Sequence, residues 1–446
     1  VLSKDVVQSL MRWMPRDPMG QLIRARLDVL EAVDDRTFRF RLNSPFPKMI
    51  FALGKNNTLM SFIMPERIAR TDPFQHITEI VGSGPMRFKR DEWVPGSRAV
   101  FERFDGYVPC EEAPDWLSGG KRMLVDRIEW HILPDAATAA AALRSGEVDW
   151  WETALPDLIP VLRRNRNIQV DIADPLGNIG SFRLNHLHPP FNDVRARRAI
   201  QMALNQEDDM RAIVGSDDSL WKRLPFFFTP GMPAYTEAGG EILKGPRSIE
   251  GAKRLLAAAG HNGQPITVLV AQDQAPLKAM GEVTNALLRS LGMNVDFVAT
   301  DWGTVVQRRA SRHRRARADG TSSTPGMGAP TASRPPPTTR SAATAAAPGS
   351  AGRPARRPKR RWRSGWRRQH PLRRRPPTRR SYEEINRAAM TDVIYIPTGF
   401  DLGYQAWRRD VTGIQKGPLP FFWGVAKMGC GEELSRNRRK GGSHAA

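Results

Sequence analysis

The sequence predicts an α/β protein, and three stretches carry that expectation. In "PITVLVAQDQAPLKAMGEVTNALLRSLGMNVDFVAT" (265–300) an apolar run is followed by a helical pattern and a second apolar run. "DRIEWHILPDAATAAAALRSGEVDWWE" (126–152) repeats strand, helix, strand with short connections, and "PDLIPVLRRNRNIQVDIADP" (156–175) does so again. Helices that join short strands in this way build layered α/β folds.

Taken in order, the chain opens with Val6, Val7, Leu10, Met11 and Met14 at helical spacing, which predicts an amphipathic helix. After the Asp34-Asp35 turn, Phe38, Phe40 and Leu42 alternate as in a half-buried strand. "MRFKRDEWVPGSRAVFERF" carries the same alternation on both sides of Pro95-Gly96 and predicts a hairpin. Asp135 stands where an N-cap belongs, an Ala-rich helix follows, and Gly146 takes the left-handed C-terminal position. Asp157 is expected to cap the next short helix. On the helix between the two strands of 265–300 one face reads Leu277, Met280, Thr284, Leu287, Leu288 and Leu291, with Gly292 ending it. "YEEINRAAMTDVIYIPTGF" (382–400) reads as a helix, a strand and a Pro-Thr-Gly turn.

The chain has 446 residues, 40% of them hydrophobic, and a formal charge of +22. Such a charge ordinarily points to nucleic acid or an acidic membrane surface. Here it is concentrated. His313–Arg380 holds eighteen Arg, one Lys and one Asp, a net +18, and leaves +4 for everything else. That segment has no Val, Ile, Phe or Tyr and a single Leu, Leu372, so it cannot bury enough apolar surface to offset ordering entropy. It is expected to lack a packed core, with globular sequence resuming at Ser381 and a polar tail after about Met428.

Enzymatic chemistry finds little support. Cys110 and Cys430 form no CxxC pair. His186 and His188 would share one face of a strand, but zinc needs further ligands that the sequence does not mark, so a structural role is favoured and no metal or cofactor is expected. The pairs Asp34-Asp35, Glu111-Glu112 and Asp208-Asp209 fall at turns or helix starts, where solvation or capping accounts for them. "GSGP" (82–85) is no phosphate loop, and GxGxxG, GxxxxGK[ST] and GxSxG are all missing. "CGEELS" (430–435) lies in the polar tail. Aromatic residues are the better lead. Trp150 and Trp151 on one strand point to opposite faces, and Trp302 follows a strand end, where open α/β sheets bind ligands.

The segments "DVVQSLMRW", "DDRTFRFRLNSPFP", "VGSGPMRF", "ALRSGEVDWWE", "NHLHPPFNDVRARRAIQMALNQEDDMRAIVG" and "DWGTVVQRRAS" together resemble the family 5 extracellular solute-binding proteins of ABC importers, the peptide, dipeptide and oligopeptide type. "AMTDVIYIPTGF" and "VTGIQKGPLPFFWGV" extend the resemblance over 1–312 and 381–427. It implies a type II periplasmic-binding-protein-like fold: two lobes with an extra subdomain, incomplete in this chain. On that template 1–81 would be a truncated extra subdomain of lobe one, 82–184 lobe one, and 185–312 lobe two. Residues 381–396 would end lobe two, 397–427 would return to lobe one, and 428–446 would be a tail. The family's first segment and signal peptide would precede Val1. The segment 313–380 stands where lobe two should continue, at similar length, as a doubly frameshifted reading would leave it.

The resemblance implies capture of peptides or related small solutes in the periplasm by a monomer that hands them to ABC permease subunits, without catalysis. Ligand-binding residues are expected at Trp151, Asn185 and Trp302, with Tyr404 behind them. The acidic residue that would meet a peptide's amino terminus would fall in 313–380. The alternatives are a nucleic-acid-binding protein whose Arg-rich segment, with Trp362 and Trp366, holds phosphates and stacks on bases, or a non-functional frameshifted product. A chaperone or signalling receptor of the same family would have the same sequence features.

Overall fold

The computed structural model describes residues 1–55, 59–225, 227–309, 326–327, 331–333 and 379–428. Among the described residues its contacts separate Val1–Ser83 from a second unit that starts at Gly84 and takes in the chain from Ser381 onward.

In the first unit the amphipathic helix spans Ser3–Trp13. Its Leu10 and Trp13 pack with Met14, Ile23 and Ala52, whereas Met11 turns out to solvent. A second helix, Pro18–Arg24, begins at a proline whose missing N–H costs nothing at that position. Asp17 caps it by accepting from Gly20 N at 2.9 Å and is fully buried against Lys55. Strands Leu27–Ala32 and Phe38–Leu42 form an antiparallel hairpin, with Asp34 Oδ1 accepting from Arg36 N in the turn.

The second unit holds several small sheets. The hairpin about Pro95-Gly96 forms between Met86–Phe88 and Arg98–Arg103, and Arg127–His131 adds a third strand. Gly96 takes φ +78°, a conformation that an L side chain would resist. Helix Ala136–Ser145 starts at Asp135, which accepts from Thr138 N at 2.7 Å, and stops at Gly146 with φ +86°. Asp157 is not a cap. It lies inside a 3₁₀ turn, Pro156–Leu158, because Pro156 starts the turn two residues earlier than expected, with Leu155 at the cap position, and helix Ile159–Arg163 follows.

Two sheets organise what remains. In the first, Tyr404–Arg408 lies between Trp150–Ala154 and Ile168–Ile172, antiparallel to both. In the second, the order is Thr331–Ser333, Asn178–Phe182, Ile396–Asp401, Trp221–Lys222. The chain passes between these sheets twice, from Ile172 to Asn178 and from Asp401 to Tyr404. Beside the second sheet, Ile266–Ala271 and Val295–Thr300 run parallel in register, joined by helix Ala275–Ser290. Leu277, Met280, Gly281, Thr284, Leu287 and Leu288 are the buried positions of that helix, and Gly292 takes φ +78° after its end. Gly326–Met327 adds a short parallel strand to Ile266–Ala271. The rest of 313–378 lies outside the described residues, and so does the expectation that it lacks a packed core.

The Pro-Thr-Gly stretch does not form the turn expected from sequence. Pro397, Thr398 and Gly399 are not a turn but part of strand Ile396–Asp401, which carries an irregularity between Pro397 and Gly399. A bulge tolerates a residue without an N–H, and Gly399 supplies the φ of +132° that the kink needs. Met210 fills the space where a Cβ on Gly399 would stand. Upstream, helix Arg379–Asp392 has its last carbonyls taken by the helix Val194–Ala203. Arg197 donates to Asp392 O at 2.8 Å, Arg198 to Thr391 O at 2.9 Å, and Gln201 to Met390 O at 3.3 Å.

Candidate functional site

Of the aromatic residues singled out from sequence, Trp150, Trp151 and Tyr404 lie on strands of the first sheet. Trp150 and Trp151 do point to opposite faces. Trp150 packs with Trp407, Val411 and Val425, and its indole N–H donates to Gln405 Oε1 at 3.1 Å. Trp151 packs on the other face, in a cluster that contains Tyr404, Leu143, Ile159 and Leu162. Strand register brings Ala406 opposite Trp151 and Tyr404 opposite Ala154, so Trp151 and Tyr404 belong to one cluster.

Tyr404 is 6% exposed and its hydroxyl is wired to the surface. Arg163 Nη2 donates to Tyr404 Oη at 3.3 Å, and Tyr404 Oη donates to Asp217 Oδ2 at 3.4 Å. The Arg163 guanidinium also stands 5.3 Å from the Tyr404 ring centroid, a cation–π distance. Asp217 is held below the usual carboxylate range, first by the Ser219 hydroxyl and its backbone N–H, then by Tyr404 and Arg163.

Trp302 opens helix Trp302–Arg309 immediately after strand Val295–Thr300. Its backbone N–H donates to Asp273 Oδ1 at 3.0 Å, which ties the two strand ends together. The ring packs on a cluster of Leu269, Ala271, Leu277, Met280 and Val305. Ile213 touches both this cluster and the one holding Trp151 and Tyr404. Ile213 thus links the cluster that holds Trp151 and Tyr404 to the one on which Trp302 packs. Asn185 does not join them. It lies three residues beyond Phe182, which pairs with Ile396 at the end of the strands opposite the Asn178–Asp401 pair. There its Oδ1 accepts from Leu187 N at 3.0 Å, closing a local turn.

Titratable groups near the two passages are more informative than the pairs read from sequence. Asp209 is not a solvated helix-start residue: it is 1% exposed, and neither carboxylate oxygen has a hydrogen-bond partner among the described residues. Helix Gln206–Val214 turns its Gln206, Asp209, Met210 and Val214 inward, so Asp209 follows the buried stripe rather than the cap. Burial pushes its carboxyl well above the usual range, and neighbouring Asp208 adds to the shift. Burial also raises Asp401, to about 6, against the opposing bond from Asn178. Glu152, beside Trp151, is raised by burial too. Asp401 escaped the sequence reading because it follows an apparent turn. Its signal was an acid ending a nearly continuous apolar run from Val393.

His186 is held below the usual histidine range by burial and then by Arg197, against a bond to the Val393 carbonyl. Among the described residues no group of three or more His, Cys, Asp or Glu is placed to hold a metal ion. Cys110 is exposed, while Cys430 and "CGEELS" lie outside the described residues. Among the described residues no helix is long and apolar enough to cross a membrane. An aromatic, partly desolvated surface with hydrogen-bonding groups at its edges can hold an organic solute by stacking and polar contacts.

Comparison with known proteins defines the class. The fold is the type II periplasmic-binding-protein fold. An ABC transporter-associated periplasmic binding protein from Helicobacter pylori solved with the peptide STSA matches with TM-score 0.67 and 20% identity, over 96% of this chain and 81% of that one. A binding protein from A. tumefaciens R10 solved with agropinic acid matches with TM-score 0.68 and 18% identity, over 96% and 84%. The chain belongs to the bacterial extracellular solute-binding proteins, family 5, whose middle region matches residues 1–336. It is 33% identical over 314 residues to a probable peptide ABC transporter periplasmic-binding protein of Sinorhizobium fredii, covering 70% of this chain and 58% of that protein. To the periplasmic oligopeptide-binding protein of Escherichia coli K12 it is 25% identical over 293 residues, covering 63% and 50%. The chain thus spans between half and three fifths of the length of these relatives.

Proposed function

We propose that this chain captures peptides or related small solutes in the periplasm and presents them to the permease subunits of an ABC importer, acting as a monomer and without catalysis. The observation that carries the reading is the double passage of the chain between the two sheets, at 172–178 and 401–404, with Trp151 and Tyr404 in the cluster that Leu402 packs against and Trp302 on the neighbouring cluster that shares Ile213. Two short connections allow the bodies they join to open and close on a ligand while keeping each body's packing intact. Membership of a solute-binding family, and relatives whose names describe peptide binding, support the same conclusion.

In this reading Trp302 and Trp151 offer ring faces to the solute, and Tyr404 holds the polar edge through Arg163 and Asp217. Asn185, beyond the end of strand Asn178–Phe182, has the weakest claim of the four to a ligand. The division expected from sequence is 82–184 with 397–427 as lobe one, 185–312 with 381–396 as lobe two, and 1–81 as the extra subdomain. In this reading the boundaries move to the two connections, so that 84–172 with 404–427 would form one lobe, 178–309 with 381–401 the other, and 1–83 the additional subdomain. The test is calorimetric titration of the full chain with di- to pentapeptide mixtures, backed by thermal shift. Saturable heat and a raised unfolding midpoint are expected. A folded chain that responds to no peptide and no opine-like solute would overturn the proposal.

A further inference from the structure

Asn178 and Asp401 face each other where both passages enter the second sheet. They are register partners in the antiparallel pair, and Asn178 Nδ2 donates to Asp401 Oδ2 at 3.2 Å. Asp401 is 7% exposed. Around the pair the backbone is cross-tied: Ala173 N donates to Gly403 O at 2.9 Å, and Leu402 N to Leu220 O at 2.8 Å. Gly177 takes φ +60° and lies under the Phe400 ring and the Asp401 carbonyl, so no larger residue fits there. Each passage therefore has one polar side chain at its mouth, and the two are bonded to each other.

We propose that Asp401 and Asn178 form a proton-operated latch on the passages between the two sheets, holding them dry when the carboxyl is protonated and releasing them when it ionises. A protonated carboxyl next to one amide is adequately satisfied. An ionised one seeks several donors and water, which it gains only if the strands part.

The charged groups on the surrounding elements leave this balance to burial. Asp174 sits in the turn before Asn178, with Oδ1 accepting from Leu176 N. Lys222, on the neighbouring strand, is exposed and pairs with Phe400 rather than with Asp401. Helix Gln206–Val214 carries Glu207, Asp208, Asp209 and Arg211. Glu207 and Asp208 are engaged with Arg211 and Arg247, and Arg211 also reaches Asp218. Asp217 is engaged with Ser219 and Tyr404, and Arg163 with Tyr404. What moves Asp401 is burial first, then the Asn178 bond acting the other way.

The sign follows. In the closed passage the acid titrates near 6, and once hydrated near its ordinary 3.8. The closed form holds the extra proton, so opening is least favoured at low pH and gains with rising pH. The full gain is about a hundredfold, and about tenfold of it falls between pH 5 and pH 7.

Hydrogen exchange on the full chain, followed by mass spectrometry and corrected for the intrinsic pH dependence of exchange, tests this. Opening of amides in 173–178 and 399–404 should rise about tenfold from pH 5 to pH 7, while helix Val194–Ala203 stays flat. Asp401→Asn should abolish the rise, and Asn178→Ala should move its midpoint upward by removing the bond that favours ionisation. A flat wild-type profile, or the same rise in Asp401→Asn, overturns the latch. Should Asp401→Asn fail to fold, infrared difference spectra of the wild type decide. A protonated-carboxyl band at pH 5 that vanishes by pH 7 and moves with Asn178→Ala supports the latch, and its absence overturns it. No ligand enters the experiment, so the latch and solute capture stand or fall separately.

Discussion

Asp209 shows at the scale of one residue why a charged side chain on a helix surface pattern can mislead. Asp208 and Asp209 read alike in sequence, yet one pairs with Arg247 in solvent and the other is buried without a partner among the described residues. A carboxyl raised in the folded state binds its proton more tightly there than in the unfolded chain. Its contribution to stability is present at low pH and declines as pH rises through the folded value. Asp209→Asn removes that penalty. Thermal unfolding should therefore show the variant gaining on the wild type as pH rises from 5 to 8, by about 1–2 kcal/mol at the upper end. A constant difference at all pH values would show that Asp209 does not titrate on folding. The same scale separates the aromatic residues. Trp302→Ala should weaken solute binding by about tenfold or more, as loss of a stacking ring does, and Asn185→Ala should leave affinity unchanged while loosening the turn at Leu187. Equal losses from both variants would place Asn185 in the binding surface.

Between elements, the sequence spoke clearly where structure is local and fell silent where it is not. Asp135, Gly146, the buried face of helix Ala275–Ser290 and its flanking strands were all legible, because caps and 3.6-residue periodicity depend on near neighbours. The strand Ile396–Asp401 was misread. Its partners, Asn178–Phe182 and Trp221–Lys222, are more than 170 residues away, and a bulge lets Pro397 and Gly399 sit in a strand. Helix Arg379–Asp392 depends on equally distant partners. Arg197 is 8% exposed and donates to Phe191 O, Asn192 O and Asp392 O, so it ties a loop and a helix end with one guanidinium. Arg197→Met leaves those carbonyls without their donor and should cost about 3 kcal/mol in denaturant unfolding. It should also raise exchange selectively at 389–396. Arg197→Lys should restore little, since an ammonium cannot span the same acceptors. Undiminished stability in Arg197→Met would show that the helix is held by its apolar face alone.

For the whole molecule, the misleading number was the net charge. Of +22, the segment His313–Arg380 carries +18, so the charge of the chain says little about the described sheets and clusters. Their composition is that of an ordinary globular protein, and their class was legible because eight short motifs recur in one order, each weak alone. Of the proposed site, aromatic residues at strand positions picked out Trp151 and Trp302, and the family resemblance added Tyr404 and Asn185; nothing local told that Ile213 would touch both aromatic clusters or that Asn185 would fall beyond Phe182. The central claim is that these clusters serve solute capture, and isothermal titration of the full chain with a defined peptide set tests it most directly. The account predicts saturable binding to at least one peptide, lost or strongly weakened in Trp302→Ala while that variant keeps its fold. Binding that Trp302→Ala leaves untouched, or a well-folded wild type that binds no peptide or related solute, would contradict it.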